Sequence, residues 1–208
     1  MLLAKSLKFS YQSGRVFNFP NIALQDNEHL LIVGKSGIGK STLLQILTGI
    51  ITPEEGVVKI GNIELTALKS SAKDRFRGSN VGIVFQKPSF VKSLSLLENY
   101  KLIQPVSGTK PDLKRISELL LDLNLSVLMN KKPVNFSQGE QQRSSIGMAL
   151  LNNPKLIIAD EPTSSLDDEN AFDVIQILKK HALSNDANLI IITHDNRVKE
   201  NFDNVLEL

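Results

Sequence analysis

Gly34, Gly39, Lys40 and Ser41 stand in the spacing G-x-x-x-x-G-K-[ST], inside the stretch "GKSGIGKST" (34–42). The run "HLLIV" before it reads as a buried strand, and "KSTLLQILTGI" after it reads as a helix. This order has a physical use. Glycines open backbone conformations closed to other residues and let several N–H groups converge on one anion. The helix start near Lys40 aims its partial positive charge at the same point. That charge is only about half a unit, too little for a triphosphate. Lys40 adds a full charge near the β and γ phosphates, and the Ser41 hydroxyl can hold Mg²⁺. The pattern arises by chance in roughly one chain of this length in a hundred, and the strand and helix around it are the context the mechanism needs. The loop is expected to cradle a triphosphate.

Two further stretches carry polar residues at the ends of apolar runs. "LIIADEP" closes in Asp160 and Glu161, and "LIIITH" closes in His194. The carboxyl end of a strand is where ligands bind in open α/β sheets. Asp160 is expected to orient the Mg²⁺ shell. Glu161 is expected to polarise a water for attack on the γ-phosphate. His194, at the same edge, is expected to sense that phosphate.

The elements that must position these groups are partly readable. Short strands are predicted over 2–9, 15–19, 57–60, 63–65 and 80–85, broken by Ser13-Gly14 and Pro53–Gly56. Residues 93–152 read mostly as helix. In "DLKRISELLLDLNL", Leu113, Ile116, Leu119, Leu120 and Leu123 share a helical face, with Asp112 as the N-terminal cap. The runs 155–160 and 188–194 are short and rich in β-branched residues, as central parallel strands are. The helix between them places Phe172, Ile175, Leu178 and Ala182 on one side. Strand, helix, strand in this order implies a right-handed crossover in an α/β core, with the helical middle as an inserted lobe.

Composition narrows the function classes. The chain has 208 residues, 41% apolar, with a net charge of +2 and no cysteine. The apolar fraction allows a sizeable core. No basic stripe suggests a nucleic-acid binder. Without cysteine there is no disulfide, zinc thiolate or cysteine nucleophile. The N-terminal "MLLAKSLKFSYQ" is too charged for a signal peptide, and no run approaches the roughly 20 apolar residues that span a bilayer. A soluble protein is expected, with any membrane role exercised through a partner.

"NFSQGEQQR" (135–143) resembles the signature motif of ATP-binding cassette (ABC) ATPases. With it the whole chain, from Tyr11 to about His194, resembles one such nucleotide-binding domain. The resemblance implies a P-loop NTPase fold: a mainly parallel core sheet, an antiparallel β subdomain and an inserted α-helical subdomain. Residues 1–86 and 153–208 would form the core with the β subdomain, and 87–152 the helical part. Tyr11 would stack on adenine. Gly34 to Thr42, with Ser36, Gly37, Gly39, Lys40 and Ser41, would be the Walker A loop. Gln86 would be the Q-loop residue joining the core to the helical lobe, with a catalytic and a metal-binding part. Ser137 to Glu140 would be the signature, Leu156 to Asp160 with Glu161 the Walker B strand and base, "SSLD" (164–167) the D-loop, and His194 the switch histidine.

That family works as head-to-tail pairs. Ser137 and the Gly139 N–H would close on ATP held by a partner's Walker A loop, with Asp167 at the seam, and hydrolysis would reopen the pair. Gln138 departs from the family's glycine. If that backbone needed a positive φ, the side chain would cost about 1 kcal/mol or more; tolerance is expected because Ser137 and Gly139 remain. The helix after the signature has no basic residue near Met148, where many relatives have one. The chain stops at Leu208 and is expected to carry no regulatory extension.

Within the family, "LTGIITPEEG", "GIVFQ", "LLENY" and "LLNNPKLIIADEPTSSLD" look most like the bacterial lipoprotein-releasing, macrolide-efflux and cell-division ATPases. This implies few-span membrane partners on the cytoplasmic face of the membrane, and no direct nucleic-acid contact. Phe90, Leu94 and Leu97 would either line a groove for a partner's cytoplasmic helix or close the lobe's own core. The other function class is a soluble ABC ATPase acting on DNA or ribosomes. Such proteins usually carry tandem cassettes, coiled-coil insertions or zinc modules, and this chain has one cassette, no heptad run and no cysteine.

Overall fold

Four apolar runs decide the architecture. In the computed structural model, which describes residues 1–11 and 14–208, they become parallel strands of one sheet. Ser13, in the expected turn at 13–14, lies outside the described residues. The elements in chain order are β1 (Leu2–Ser10), β2 (Val16–Asn18), β3 (Ile22–Leu24), β4 (His29–Val33), α1 (Lys40–Leu47), β5 (Glu55–Ile60), β6 (Ile63–Glu64), α2 (Ser70–Asn80) and β7 (Val81–Val84). The helical middle holds α3 (Leu96–Lys101), α4 (Ile103–Val106), α5 (Leu113–Asp122) and α6 (Gln138–Leu150). Then come β8 (Leu156–Asp160), α7 (Asp168–Ser184), β9 (Asn188–Thr193) and β10 (Val205–Glu207).

The main sheet has the order β10-β4-β9-β8-β7, and all its pairs are parallel. Side chains of successive strand residues point to opposite faces. Leu31, Ile157, Ala159, Leu189 and Ile191 enter a core shared with α6, α7 and the helical middle. Leu30, Ile32, Leu156, Ile158, Ile190 and Ile192 enter a second core, shared with α1 and the other sheet. With both faces covered, these strands need apolar residues at every position. The other sheet, β2-β1-β5-β6 with β3 on β1, is antiparallel throughout. The chain is therefore α/β, with a parallel core sheet, an antiparallel sheet and a group of helices.

Parallel pairing puts the carboxyl ends of β4, β7, β8 and β9 at one edge. The loop 34–39 leaves β4, Gln86 follows β7, Asp160 ends β8 and His194 follows β9. β9 lies between β4 and β8, with Val33 opposite Thr193 and Asp160 opposite Ile192. Residues far apart in sequence thus meet by register.

Some expected elements differ. Ile116, Leu119, Leu120 and Leu123 are buried, and the Asp112 carboxylate accepts from the Arg115 amide at 3.0 Å as a cap. Leu113 is exposed, because it opens α5 beyond the lobe's core. On α7 the buried stripe runs through Ala171, Val174, Ile175, Leu178 and Ala182. Phe172, one residue or about 100° round the helix from that stripe, is 56% exposed. β3, α2 and β10 had no counterpart in the sequence reading. Gln138 is the first residue of α6 and is absent from the positive-φ backbone positions, so its side chain brings no strain there.

Candidate nucleotide site

The loop after β4 closes over α1 in a conformation that only glycine takes without strain. Gly39 has φ +118°, and a Cβ there would lie 2.6 Å from the Phe17 ring. The loop and the neighbouring strand ends enclose a cavity of about 670 Å³. Ser36, Gly37, Gly39, Lys40, Ser41 and Thr42 line one side, and Gln86, Asp160, Glu161 and His194 line the other. Ten of the residues singled out in the sequence are thus in one chamber.

Lys40 is 9% exposed, and its Nζ donates to the carbonyls of Gly34 at 2.6 Å and Lys35 at 3.2 Å. Gly34 belongs to the site through this carbonyl. The α1 N-terminus has no side-chain cap and no acidic residue in its first turn. Its orphan N–H groups are therefore left for a ligand. The Ser41 hydroxyl donates to Asp160 Oδ2 at 3.1 Å. Burial pushes the Asp160 carboxyl up, the Ser41 bond opposes this, and neighbouring Glu161 raises it further. A hydroxyl beside a buried carboxylate is a hard-oxygen pair that fits Mg²⁺, which takes one or two protein ligands and leaves the rest to phosphate and water.

Glu161 departs from the strand. Its φ is +50°, uncommon for a residue with a side chain. Its amide donates to the Ile192 carbonyl at 2.7 Å, so the chain turns across the sheet edge toward β9. Consecutive strand residues would point apart; the turn instead brings Glu161 into the chamber beside Asp160. There Glu161 is 8% exposed. Its Oε2 accepts from Thr193 Oγ1 at 2.8 Å, and its Oε1 lies 2.6 Å from His194 Nδ1. If Nδ1 is the protonated nitrogen, Nε2 of this exposed imidazole is left for a ligand.

Tyr11 stands next to the chamber, with its hydroxyl 3.1 Å from Thr42 Oγ1. Its ring meets Phe9 and Phe17 edge-on, at centroid distances of 4.9 and 6.0 Å. The aromatic in the wall itself is Phe17. Arg15 lies 4.7 Å over the Phe17 ring and donates to the Gly37 carbonyl at 2.5 Å. Neither was visible in the sequence, where "GRVFNF" gives only strand alternation. The loop after β9 holds another unforeseen group. Asp195 accepts from Thr163 at 2.9 Å and pairs with Arg197, which lowers its carboxyl to about 2. Arg197 also pairs with Asp168.

Ser137, Gly139 and Asp167 lie outside the chamber. Ser137 caps α6 in a reciprocal box with Glu140. Asp167 caps α7, its Oδ1 accepting from the Asn170 amide at 2.9 Å. A Cβ on Gly139 would meet Asn170 Oδ1 at 3.2 Å, so the starts of α6 and α7 adjoin. The chamber and the signature segment are separate places on the chain.

Known proteins of similar sequence and fold place the chain in a family. Residues 17–164 match the ABC transporter family. An uncharacterized ABC transporter ATP-binding protein of Mycobacterium bovis is 37% identical over 181 residues, covering 86% of this chain and 54% of that protein. The chain thus spans about half the length of that relative. The lipoprotein-releasing system ATP-binding protein LolD of Wigglesworthia glossinidia brevipalpis is 31% identical, over 100% of this chain and 93% of its own. The ATP-binding cassette MJ0796, solved as a dimer in a post-hydrolysis state bound to ADP and Pi, superposes with a TM-score of 0.90 at 32% identity, over 100% of this chain and 94% of that one. Family match, full-length likeness and the chamber built from Lys40, Asp160 and Glu161 lead to one conclusion: the chain belongs to the ABC transporter family, as its ATP-binding cassette.

Proposed function

We propose that this cassette hydrolyses MgATP, that two copies close head to tail around two nucleotides, and that the cycle drives a membrane partner. The observation that carries the reading is the single chamber in which Lys40, Ser41, Gln86, Asp160, Glu161 and His194 meet.

ATP enters with its phosphates toward the loop 34–39. The N–H groups of that loop and of the uncapped α1 start take the phosphate oxygens. Lys40 exchanges its two carbonyl partners for the β and γ oxygens. Mg²⁺, held by Ser41 and Asp160 with Gln86 nearby, would offset the charge that the lysine and the helix leave over. Glu161, oriented by Thr193 and His194, accepts a proton from the water that attacks the γ phosphorus, and the bond to the ADP oxygen breaks. His194 contacts the γ-phosphate and reports its loss. Tyr11 and Phe17 face the base. Ser137 and the Gly139 N–H complete the site of the other copy; neither lines its own chain's chamber.

The residues 1–86 and 153–208 act as the core and 87–152 as the moving lobe. A groove of about 680 Å³ lies between them, lined by Ile50, Phe85, Ile103, Val106 and Met148, with Asp74 and Arg77 beside it. It suits the apolar face of a partner's cytoplasmic helix. Phe90, Leu94 and Leu97 are half-buried and are not part of it. No helix among the described residues is long and apolar enough to cross a membrane. The cassette would reach the cytoplasmic face through that partner. Its likeness to LolD supports a few-span partner with a large extracytoplasmic domain.

The test is a capture from detergent-solubilised membranes of the source organism with Glu161→Gln and MgATP. We expect a MgATP-dependent dimer that retains a few-span membrane protein. A many-span permease would keep the transport role and refute the subgroup. Recovery of only ribosomes, DNA or soluble proteins would refute both.

A further inference from the structure

We infer that Gln142 is a positioning residue whose side-chain amide finds its partner only when the cleft beside it closes. This rests on the ATP-driven closure proposed above. Gln142 is 3% exposed, yet its Nε2 has no hydrogen-bond partner among the described residues. A buried polar group without a partner is rare in a folded chain and asks for a reason. Gln142 lines a cleft of about 350 Å³, together with Gln138 and Gln141 of its own helix and with Gln86, Pro88, Ser164 and Ser165.

Both walls of that cleft lead to the chemistry. Gln86 also lines the nucleotide chamber. The Ser164 amide and hydroxyl both donate to the Glu161 carbonyl, at 3.3 and 3.1 Å. Gln142 itself lies one turn along α6 from the signature at Ser137 and Gln138. On its other side α6 is fastened to α3: Tyr100 Oη donates to the Ser144 carbonyl at 3.1 Å, and a Cβ on Gly147 would come 2.0 Å from that hydroxyl. The helix is thus held against its lobe by Tyr100, while a cleft separates it from the loops that hold Gln86 and Glu161. The acceptors within the cleft are backbone carbonyls, the hydroxyls of Ser164 and Ser165, and the side-chain amide oxygens of Gln86, Gln138 and Gln141. An amide bonded to one of those outside α6 would tie signature, Q-loop residue and base in one position, and the unpartnered state would disfavour the open form.

The variants are Gln142→Met, which keeps the shape and removes the polar group, and Gln142→Asn, which keeps the amide and shortens its reach. Both are made in the full chain, and again with Glu161→Gln. Removing an orphaned buried amide is expected to leave the nucleotide-free melting temperature unchanged or higher. The Kd for ATP should change less than about twofold, whereas kcat and MgATP-dependent dimerisation should each fall about tenfold. A lower melting temperature with wild-type kcat would overturn the inference, because it would mean that the amide serves the resting fold. Wild-type kcat and dimerisation in Gln142→Asn would overturn it too, if Gln142→Met does not fold. If the parent chain itself neither turns over ATP nor dimerises, the closure reading fails instead.

Discussion

The starts of α1 and α6 are two helix N-termini with opposite surroundings. At α1 the cap is Gly39, with no side-chain bond and no acid in the first turn, and Lys40 lies alongside. At α6 Ser137 caps the helix, and Glu140 returns the bond to its amide. Every N-terminus attracts an anion. At α1 that attraction is unmet and reinforced by a cation. At α6 it is already met by a carboxylate, which the Ser137 amide and hydroxyl hold below its usual range. A chain on its own can therefore grip a phosphate at α1 and only weakly at α6. On the proposed head-to-tail closure, the second site would gain from a phosphate that another copy presents in a fixed place.

The difference can be tested by breaking either start. Lys40→Ala removes the cation at α1 and should lower ATP turnover more than about a hundredfold; steady-state phosphate release measures it, and undiminished release would break the comparison. Ser137→Arg blocks only the α6 start. It should reduce hydrolysis at least about tenfold while leaving nucleotide affinity of the single chain within about twofold, as read by equilibrium binding of a fluorescent ATP analogue. Lost affinity would mean that α6 serves its own chain. Arg15→Ala frees Gly37 and uncovers Phe17, so KM for ATP should rise about fivefold with kcat little changed. Glu140→Gln keeps the capping box, since glutamine serves at that position, and removes the charge. In the Glu161→Gln background it should tighten MgATP-dependent dimerisation by a few-fold at low salt, by ultracentrifugation.

The smallest effect is on stability. The Asp195 carboxyl is lowered from 3.8 to about 2, chiefly by Arg197. Its contribution is complete above the unfolded value and disappears as pH falls from about 4 to about 2. For a pair whose arginine is half exposed this is worth at most about 2 kcal/mol. Asp195→Asn should lower the melting temperature at pH 7 and flatten its fall in acid.

Much of this was legible because a few residue types have few uses. A glycine loop ending in Lys40-Ser41 after an apolar strand, and acids closing another apolar strand, do not depend on distant packing for their meaning. Elements without an apolar stripe were not legible. In α2 only the Lys73 side chain is buried, and it donates to Thr52 at 2.7 Å while Arg77 reaches the Gly49 carbonyl. A helix whose apolar contact with the core is the single Phe76 has no period for the sequence to display. β3 and β10 have three residues each, too short for alternation to register. Phe172 matched a helical spacing, but Ala171 matched it as well, and only the packing partner of α7 selects between them.

The sequence by itself determined the phosphate loop, the acids at the strand end and the sheet that must carry them, because local backbone chemistry and burial leave few alternatives. It could not say that Phe17 and Arg15 enclose the loop, that a left-handed turn at Glu161 carries the carboxylate across to Thr193 and His194, or that Gln142 is buried without a partner. Those are distances between segments remote in the chain. They exist only once strand order and register have brought the segments together.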